Sequence, residues 1–212
     1  MLKRAPAYPL GIIQNIYDRH VKAHGPTPEG VFWKNIEGQV LRYEILTGIV
    51  EPGDLAGGIT VNDLGCGYGV FFDIFQNEPL MQGSAYYGYD LSGEMVKFAR
   101  RRIDDPRAHL IQSDHATKTA DYSLASGTFN MHGRQNVSAW ETCVQASLKE
   151  LWGKTRKGLA FNMLAHDRED RLDGLYYANS ADFIDFCRRE ISGNVELIDG
   201  YPLEEWTIFI RR

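Results

Sequence analysis

Apolar positions recur at helical spacing over residues 11–24 and again over 35–50, and Gly25-Pro26-Thr27-Pro28 breaks the pattern between them. Glu51-Pro52-Gly53-Asp54 ends the second helix. Downstream the pattern alternates. Short apolar runs at 59–63, 85–90, 109–112, 122–125 and 158–164 read as strands. Helical stretches fall between them, the first over 68–76. Ser92 is an N-cap for a helix with Met95, Phe98, Ala99 and Ile103 on one face. Ser138 with Glu141 has the form of a capping box, opening a helix that carries Trp140, Val144, Leu148 and Leu151. Ser180 reads as the cap of a last helix running to Arg189. Runs at 195–198 and 206–210 flank Gly200-Tyr201-Pro202 and can pair as a hairpin.

Such alternation predicts an α/β fold, a mostly parallel sheet with helices on both faces, here ending in an antiparallel pair. The helical stretch 1–54 reads as an N-terminal lid, and 55–212 as the core of one structural domain.

Composition narrows the class. Hydrophobic residues at 43% and charged residues at 24% are ordinary for a globular chain and exclude disorder or a coiled coil. The formal net charge of −5 argues against nucleic acid as a partner, which usually meets a basic excess. Cys66, Cys143 and Cys187 are too far apart for a disulfide framework or a zinc set. The longest apolar runs, such as 69–72 and 45–50, fall far short of the ~18 residues of a membrane span. Lys3 and Arg4 are followed by no apolar signal segment. The expectation is a cytoplasmic protein without a membrane partner, monomeric or homodimeric.

The strongest local signal is Val61-Asn62-Asp63-Leu64-Gly65-Cys66-Gly67-Tyr68-Gly69. An apolar strand runs into an acid, then glycines at alternate positions, then a helix. Such glycines allow φ > 0 and close approach of a ligand at the carboxyl end of the strands. The spacing is G-x-G-x-G, not the G-x-G-x-x-G of dinucleotide sites, and no P-loop lysine follows. Asp63, two residues before the first glycine, would repel a pyrophosphate and suits a cationic ligand group.

The motif resembles the first motif of the class I S-adenosylmethionine-dependent methyltransferases, an apolar strand followed by D/E-x-G-x-G-x-G. The resemblance extends from Ile59 to the C-terminus. It implies a Rossmann-like seven-stranded sheet in the order 3-2-1-4-5-7-6 and S-adenosylmethionine as cofactor, with S-adenosylhomocysteine as product. By this resemblance Asp63, Gly65, Cys66, Gly67 and Gly69 form the donor turn. Asp90, ending Tyr86-Tyr87-Gly88-Tyr89-Asp90, would accept both ribose hydroxyls, beside Leu91. Met95 would pack on the adenine face, and Ser113, Asp114 and His115 would meet its edge. Ser126 belongs to the strand-four loop that faces the methyl group. Arg42 would pair with the methionyl carboxylate, under a lid carrying Tyr17 and Trp33.

The strand-four loop is Ser126-Gly127-Thr128-Phe129-Asn130, not Asn/Asp-Pro-Pro-aromatic, which argues against adenine or glutamine-amide acceptors. Phe129, Asn130, Tyr176 and Tyr177 are candidates for the acceptor pocket. His132 is the first candidate general base, because an imidazole near pKa 6.5 exchanges a proton at neutrality. His166, after strand five, is the second. His20 and His24 share a helix face but lack a third ligand, so no metal site is expected. The resulting expectation is methyl transfer to a small-molecule acceptor, with a hydroxyl preferred over an amine. N-methylation, a macromolecular acceptor and a silent cofactor-binding partner subunit are the alternatives.

Overall fold

The computed structural model describes residues 10–33 and 35–212. The Lys3–Arg4 stretch and Lys34 of the expected lid lie outside the described residues. The strands are β1 (Thr60–Leu64), β2 (Ala85–Asp90), β3 (Ala108–Gln112), β4 (Ala120–Ala125), β5 (Thr155–Ala165), β6 (Tyr177–Ala178), β7 (Val195–Ile198) and β8 (Glu205–Arg211). The helices are α1 (Leu10–His24), α2 (Ile36–Thr47), α3 (Val70–Phe75), α4 (Gly93–Arg102), α5 (Val137–Trp152) and α6 (Ser180–Glu190).

The sheet runs β3-β2-β1-β4-β5-β8-β7, with β1 to β5 parallel and β8 antiparallel to both β5 and β7. This is the expected order with one strand more. Tyr177 and Ala178 form the two-residue β6, parallel to Leu164 and Ala165 of β5. So short a strand leaves no alternating pattern to read.

Each face of the sheet carries its own apolar core. Tyr43 and Leu46 of α2, Phe71 and Phe72 of α3, and Met95 and Val96 of α4 pack on one face. Trp140, Val144 and Leu148 of α5 and Phe183 and Phe186 of α6 pack on the other. Covered on both sides, β1 and β8 are buried almost throughout, including the polar side chains of Asn62, Asp63, Glu205 and Thr207.

Two caps differ from expectation. Asn136, not Ser138, caps α5, its Oδ1 accepting from Ala139 N at 3.0 Å. Trp140 Nε1 donates to Phe129 O at 3.0 Å, which anchors this first turn to the β4 loop. Asn179, not Ser180, caps α6 through Ala181 N at 2.9 Å, because β6 ends at Ala178 and delivers Asn179 in an extended conformation. Ser92 caps α4 as expected, with its Oγ accepting from Met95 N at 3.1 Å.

Candidate active site

The turn after β1 is built by three glycines with different reasons to be glycine. All have positive φ: 77° at Gly65, 56° at Gly67 and 89° at Gly69. A Cβ on Gly65 would lie 2.6 Å from Thr128 Oγ1. A Cβ on Gly69 would lie 2.4 Å from Ile103 Cδ1, so Gly69 serves the packing of α3 on α4. A Cβ on Gly67 would meet Val31 alone, at 3.6 Å. Its missing side chain therefore leaves room above the turn for a ligand to approach the backbone.

The end of β2 holds this turn. Tyr89 O accepts from Gly65 N at 2.7 Å and Cys66 N at 3.0 Å. Asp90 Oδ2 accepts from Gly67 N, and Oδ1 from Ser92 N, both at 2.8 Å. Each carboxylate oxygen keeps a lone pair for a further donor. Burial pushes the Asp90 carboxyl up to about 6; the two N–H bonds oppose this, and Asp18 of α1 adds to it. Asp18 itself accepts from the Ser92 hydroxyl, tying α1 to the start of α4.

A cavity of ≈ 1030 Å³, counting its open mouth, lies over this turn. Its floor includes Gly65, Cys66, Gly67, Asp90 and Leu91, with Met95, Ser113 and Asp114 along one side. Ser126, Gly127, Thr128 and Phe129 of the β4 loop form another wall. Leu10, Ile13, Gln14 and Tyr17 of α1 also line it, together with Val31 and Trp33. The charged side chains among the described residues that line it are Asp90 and Asp114.

Several expected residues stand elsewhere. Asp63 is fully buried below the turn, where Tyr86 OH donates to Oδ2 at 2.7 Å and Oδ1 has no hydrogen-bond partner. Burial raises its carboxyl to about 7, against the pull of the Tyr86 bond. Arg42 does not line the cavity: its Nη2 lies 2.5 Å from Glu205 Oε1, so its charge is already met inside the protein. His115 stands behind Asp114, with Nδ1 2.6 Å from Asp114 Oδ1.

Neither histidine proposed as a base lines the cavity. His132 Nδ1 donates to Gln135 O at 2.9 Å within its own loop. His166 is exposed beyond β5. Asn130 is consumed by structure, with Oδ1 accepting from Leu164 N at 3.2 Å. Tyr176 OH donates to Glu141 at 3.2 Å, and Tyr177 OH accepts from Leu172 N at 2.8 Å, so these rings anchor the loop between β5 and β6. His20 stacks on Phe32 at 3.7 Å and His24 pairs with Glu29 at 3.0 Å.

Gln39, Tyr43, Trp140 and Cys143 also line the cavity, and no local motif announces them. Trp140 and Tyr43 sit at core-like spacing on their helices, and nothing in a helical period separates a core face from a cavity wall.

Residues 62–159 match the methyltransferase-domain family. The Mycobacterium tuberculosis protein Rv1506c, named as a methyltransferase, is 36% identical over 156 residues, 72% of this chain and 93% of its own length. Among solved structures, a magnesium protoporphyrin IX methyltransferase from Synechocystis PCC 6803 with bound SAM superposes with a TM-score of 0.66 at 16% identity, covering 99% of this chain and 100% of that one. A SAM-dependent methyltransferase from Aquifex aeolicus gives a TM-score of 0.53 at 14% identity, covering 79% and 87%. The glycine turn fastened to Asp90, the strand order and the identity to a named relative together make this chain a member of the class I S-adenosylmethionine-dependent methyltransferases.

Proposed function

We propose that this chain transfers a methyl group from S-adenosylmethionine to a small-molecule acceptor, with a hydroxyl preferred over an amine. The observation that carries the small-molecule reading is the cavity itself. Ile13, Tyr17, Val31 and Trp33 line it with apolar side chains beside the glycine turn, a recess that suits a small acceptor better than a macromolecular surface. The β4 loop, Ser126-Gly127-Thr128-Phe129, lacks the Pro-Pro-aromatic pattern suited to planar nitrogens, which argues against adenine and amide acceptors and leaves hydroxyls and simple amines.

The residues present fit the cofactor. Gly67 offers a backbone without a Cβ at the base of the cavity, and Asp90 has a lone pair left on each oxygen for a ribose hydroxyl. Leu91 and Met95 supply an apolar face for a purine, with Ser113 and Asp114 at its edge. Cys66 and Ser126 flank the far end. When bound, S-adenosylmethionine supplies a methyl group on a sulfonium sulfur whose positive charge disappears on transfer. The chain therefore has no leaving-group anion to stabilise. The work left to its residues is alignment in a dry pocket, which supplies roughly 7–11 kcal/mol of barrier lowering when geometry is favourable. Phe129 and Trp33, with Leu10, Ile13 and Tyr17 of α1, give this pocket its apolar lining. With His132 and His166 outside the cavity, alignment rather than a histidine base carries this reading, and the acceptor hydroxyl's proton leaves to solvent water through the open mouth of the cavity.

The test is incubation with methyl-labelled S-adenosylmethionine and a panel of small phenols, alcohols and amines. Label transfer to a hydroxyl compound, with stoichiometric S-adenosylhomocysteine, supports the proposal. Transfer to amines alone, or to protein or RNA alone, overturns it.

A further inference from the structure

We infer that Arg42 and Glu205 are positioning residues that hold the Trp33 indole as a fixed wall on the β4-loop side of the cavity. The inference rests on reading that cavity as the site of methyl transfer.

The geometry is a closed ring of contacts. Gly127 N, in the β4 loop, donates to Asn162 Oδ1 at 2.7 Å. Asn162 Nδ2 donates to Glu205 Oε2 at 2.6 Å. Arg42 Nε lies 2.9 Å from both Glu205 oxygens, and Nη2 2.5 Å from Oε1. The Arg42 guanidinium carbon sits 3.8 Å from the centroid of the Trp33 ring. Trp33 in turn covers Gly127 so closely that a Cβ there would lie 2.3 Å from Trp33 Cζ2. Five segments thus meet: the stretch before α2, α2 itself, the β4 loop, and the paired strands β5 and β8.

The arrangement uses what distinguishes arginine. Its edge engages a carboxylate while its face stacks on an aromatic ring, which a lysine ammonium cannot do at once. Glu205 pairs with Leu164 of β5, so the sheet fixes the carboxylate, the carboxylate fixes the guanidinium, and the guanidinium fixes the indole. Trp33 needs such a support. It lies in neither α1 nor α2, and its backbone N–H is tied to Pro28 O at 2.8 Å. The Glu205 side chain is 1% exposed and that of Arg42 11%. An ion pair this buried is weak evidence for stability but sets geometry well. Gly127 and Trp33 both line the cavity, whereas Arg42 and Glu205 do not. The pair acts on the site through Trp33.

The test needs no ligand. Acrylamide quenching of the full chain, minus that of the matching Trp33→Phe chain, isolates Trp33 from Trp140, Trp152 and Trp206. Arg42→Lys keeps a charge for Glu205 but loses the stacking face. Expected is a thermal midpoint near that of the parent with about a twofold or greater rise in Trp33 quenching. Glu205→Gln is expected to act in the same sense. Where a labelled acceptor has been found, Arg42→Lys raises its KM more than it lowers kcat. Unchanged Trp33 quenching in folded Arg42→Lys overturns the inference. So does a quenching rise matched by an equal rise for the three other tryptophans, which is general loosening. Because quenching is read without cofactor or acceptor, failure to find methyl transfer sinks the functional proposal and leaves this result standing.

Discussion

The backbone N–H of Gly67 donates to Asp90 Oδ2 at 2.8 Å, joining the glycine turn after β1 to the tip of β2. The bond crosses between adjacent parallel strands and fixes the carboxylate in the floor of the cavity. Ser92 N holds the other oxygen from the start of α4. Asp90 is thus oriented before any ligand arrives.

The first prediction concerns that carboxylate. Asp90→Ala removes the acceptor of both N–H groups and of the proposed ribose hydroxyls. Its affinity for S-adenosylhomocysteine is expected to fall by about tenfold or more, since a charge-assisted hydrogen bond contributes roughly 1.5–3 kcal/mol. Calorimetric titration of parent and variant measures it. Equal affinities would remove Asp90 from the site.

The glycines are predicted to fail in different ways. Gly67→Ala adds a Cβ into the cavity with nothing but Val31 nearby. It is expected to weaken ligand binding while costing stability only the ~1 kcal/mol of a left-handed alanine. Gly69→Ala drives its Cβ toward Ile103 under α4. It is expected to lower the thermal midpoint further and to leave ligand affinity nearly intact. Thermal unfolding together with ligand titration separates the two. Identical behaviour of the variants would contradict the roles given to these glycines.

Stability is expected to carry a signature of Asp63. Its carboxyl is raised to about 7, chiefly by burial. A native acid with a raised pKa keeps its proton where the unfolded chain has lost it. The native state therefore binds more protons between roughly pH 4 and 7, and stability falls as pH rises through that window, by at most about 1.4 kcal/mol per pH unit for one group. Asp54, Asp105 and Asp121 are shifted down and act in the opposite sense, so the observable is a difference. Urea unfolding should show Asp63→Asn gaining on the parent as pH rises from about 4 to 7. Parallel curves would refute the raised carboxyl.

Much of the site was legible in sequence. Alternate glycines, the acid at the end of β2 and the cap at Ser92 are local devices, each encoded within a few residues. What stayed hidden depends on contacts across the chain. Arg42 on its helix looks free to meet a carboxylate; the one it meets is Glu205, 163 positions away. Tyr176 and Tyr177 look like pocket rings but serve a loop and a two-residue strand. His132 looks well placed after β4, and its loop turns it toward Gln135. Ser138 and Asn136 are both good caps, and a buried tryptophan bond at Phe129 accompanies the earlier one.

The histidines give a prediction that reverses their first reading. With neither lining the cavity, His132→Gln and His166→Gln are each expected to keep turnover within about threefold of the parent, well short of the 10²–10⁴ supplied by a general base. The pH–rate profile should likewise keep its shape. A loss of about a hundredfold in His132→Gln, at unchanged S-adenosylhomocysteine affinity, would restore His132 as the base.

The most direct measurement is calorimetry of the parent chain with S-adenosylhomocysteine, run beside a nicotinamide dinucleotide. A glycine turn held by Asp90 for this cofactor predicts saturable heat for one S-adenosylhomocysteine per chain and none for the dinucleotide. Silence with the former and clear uptake of the latter would contradict it.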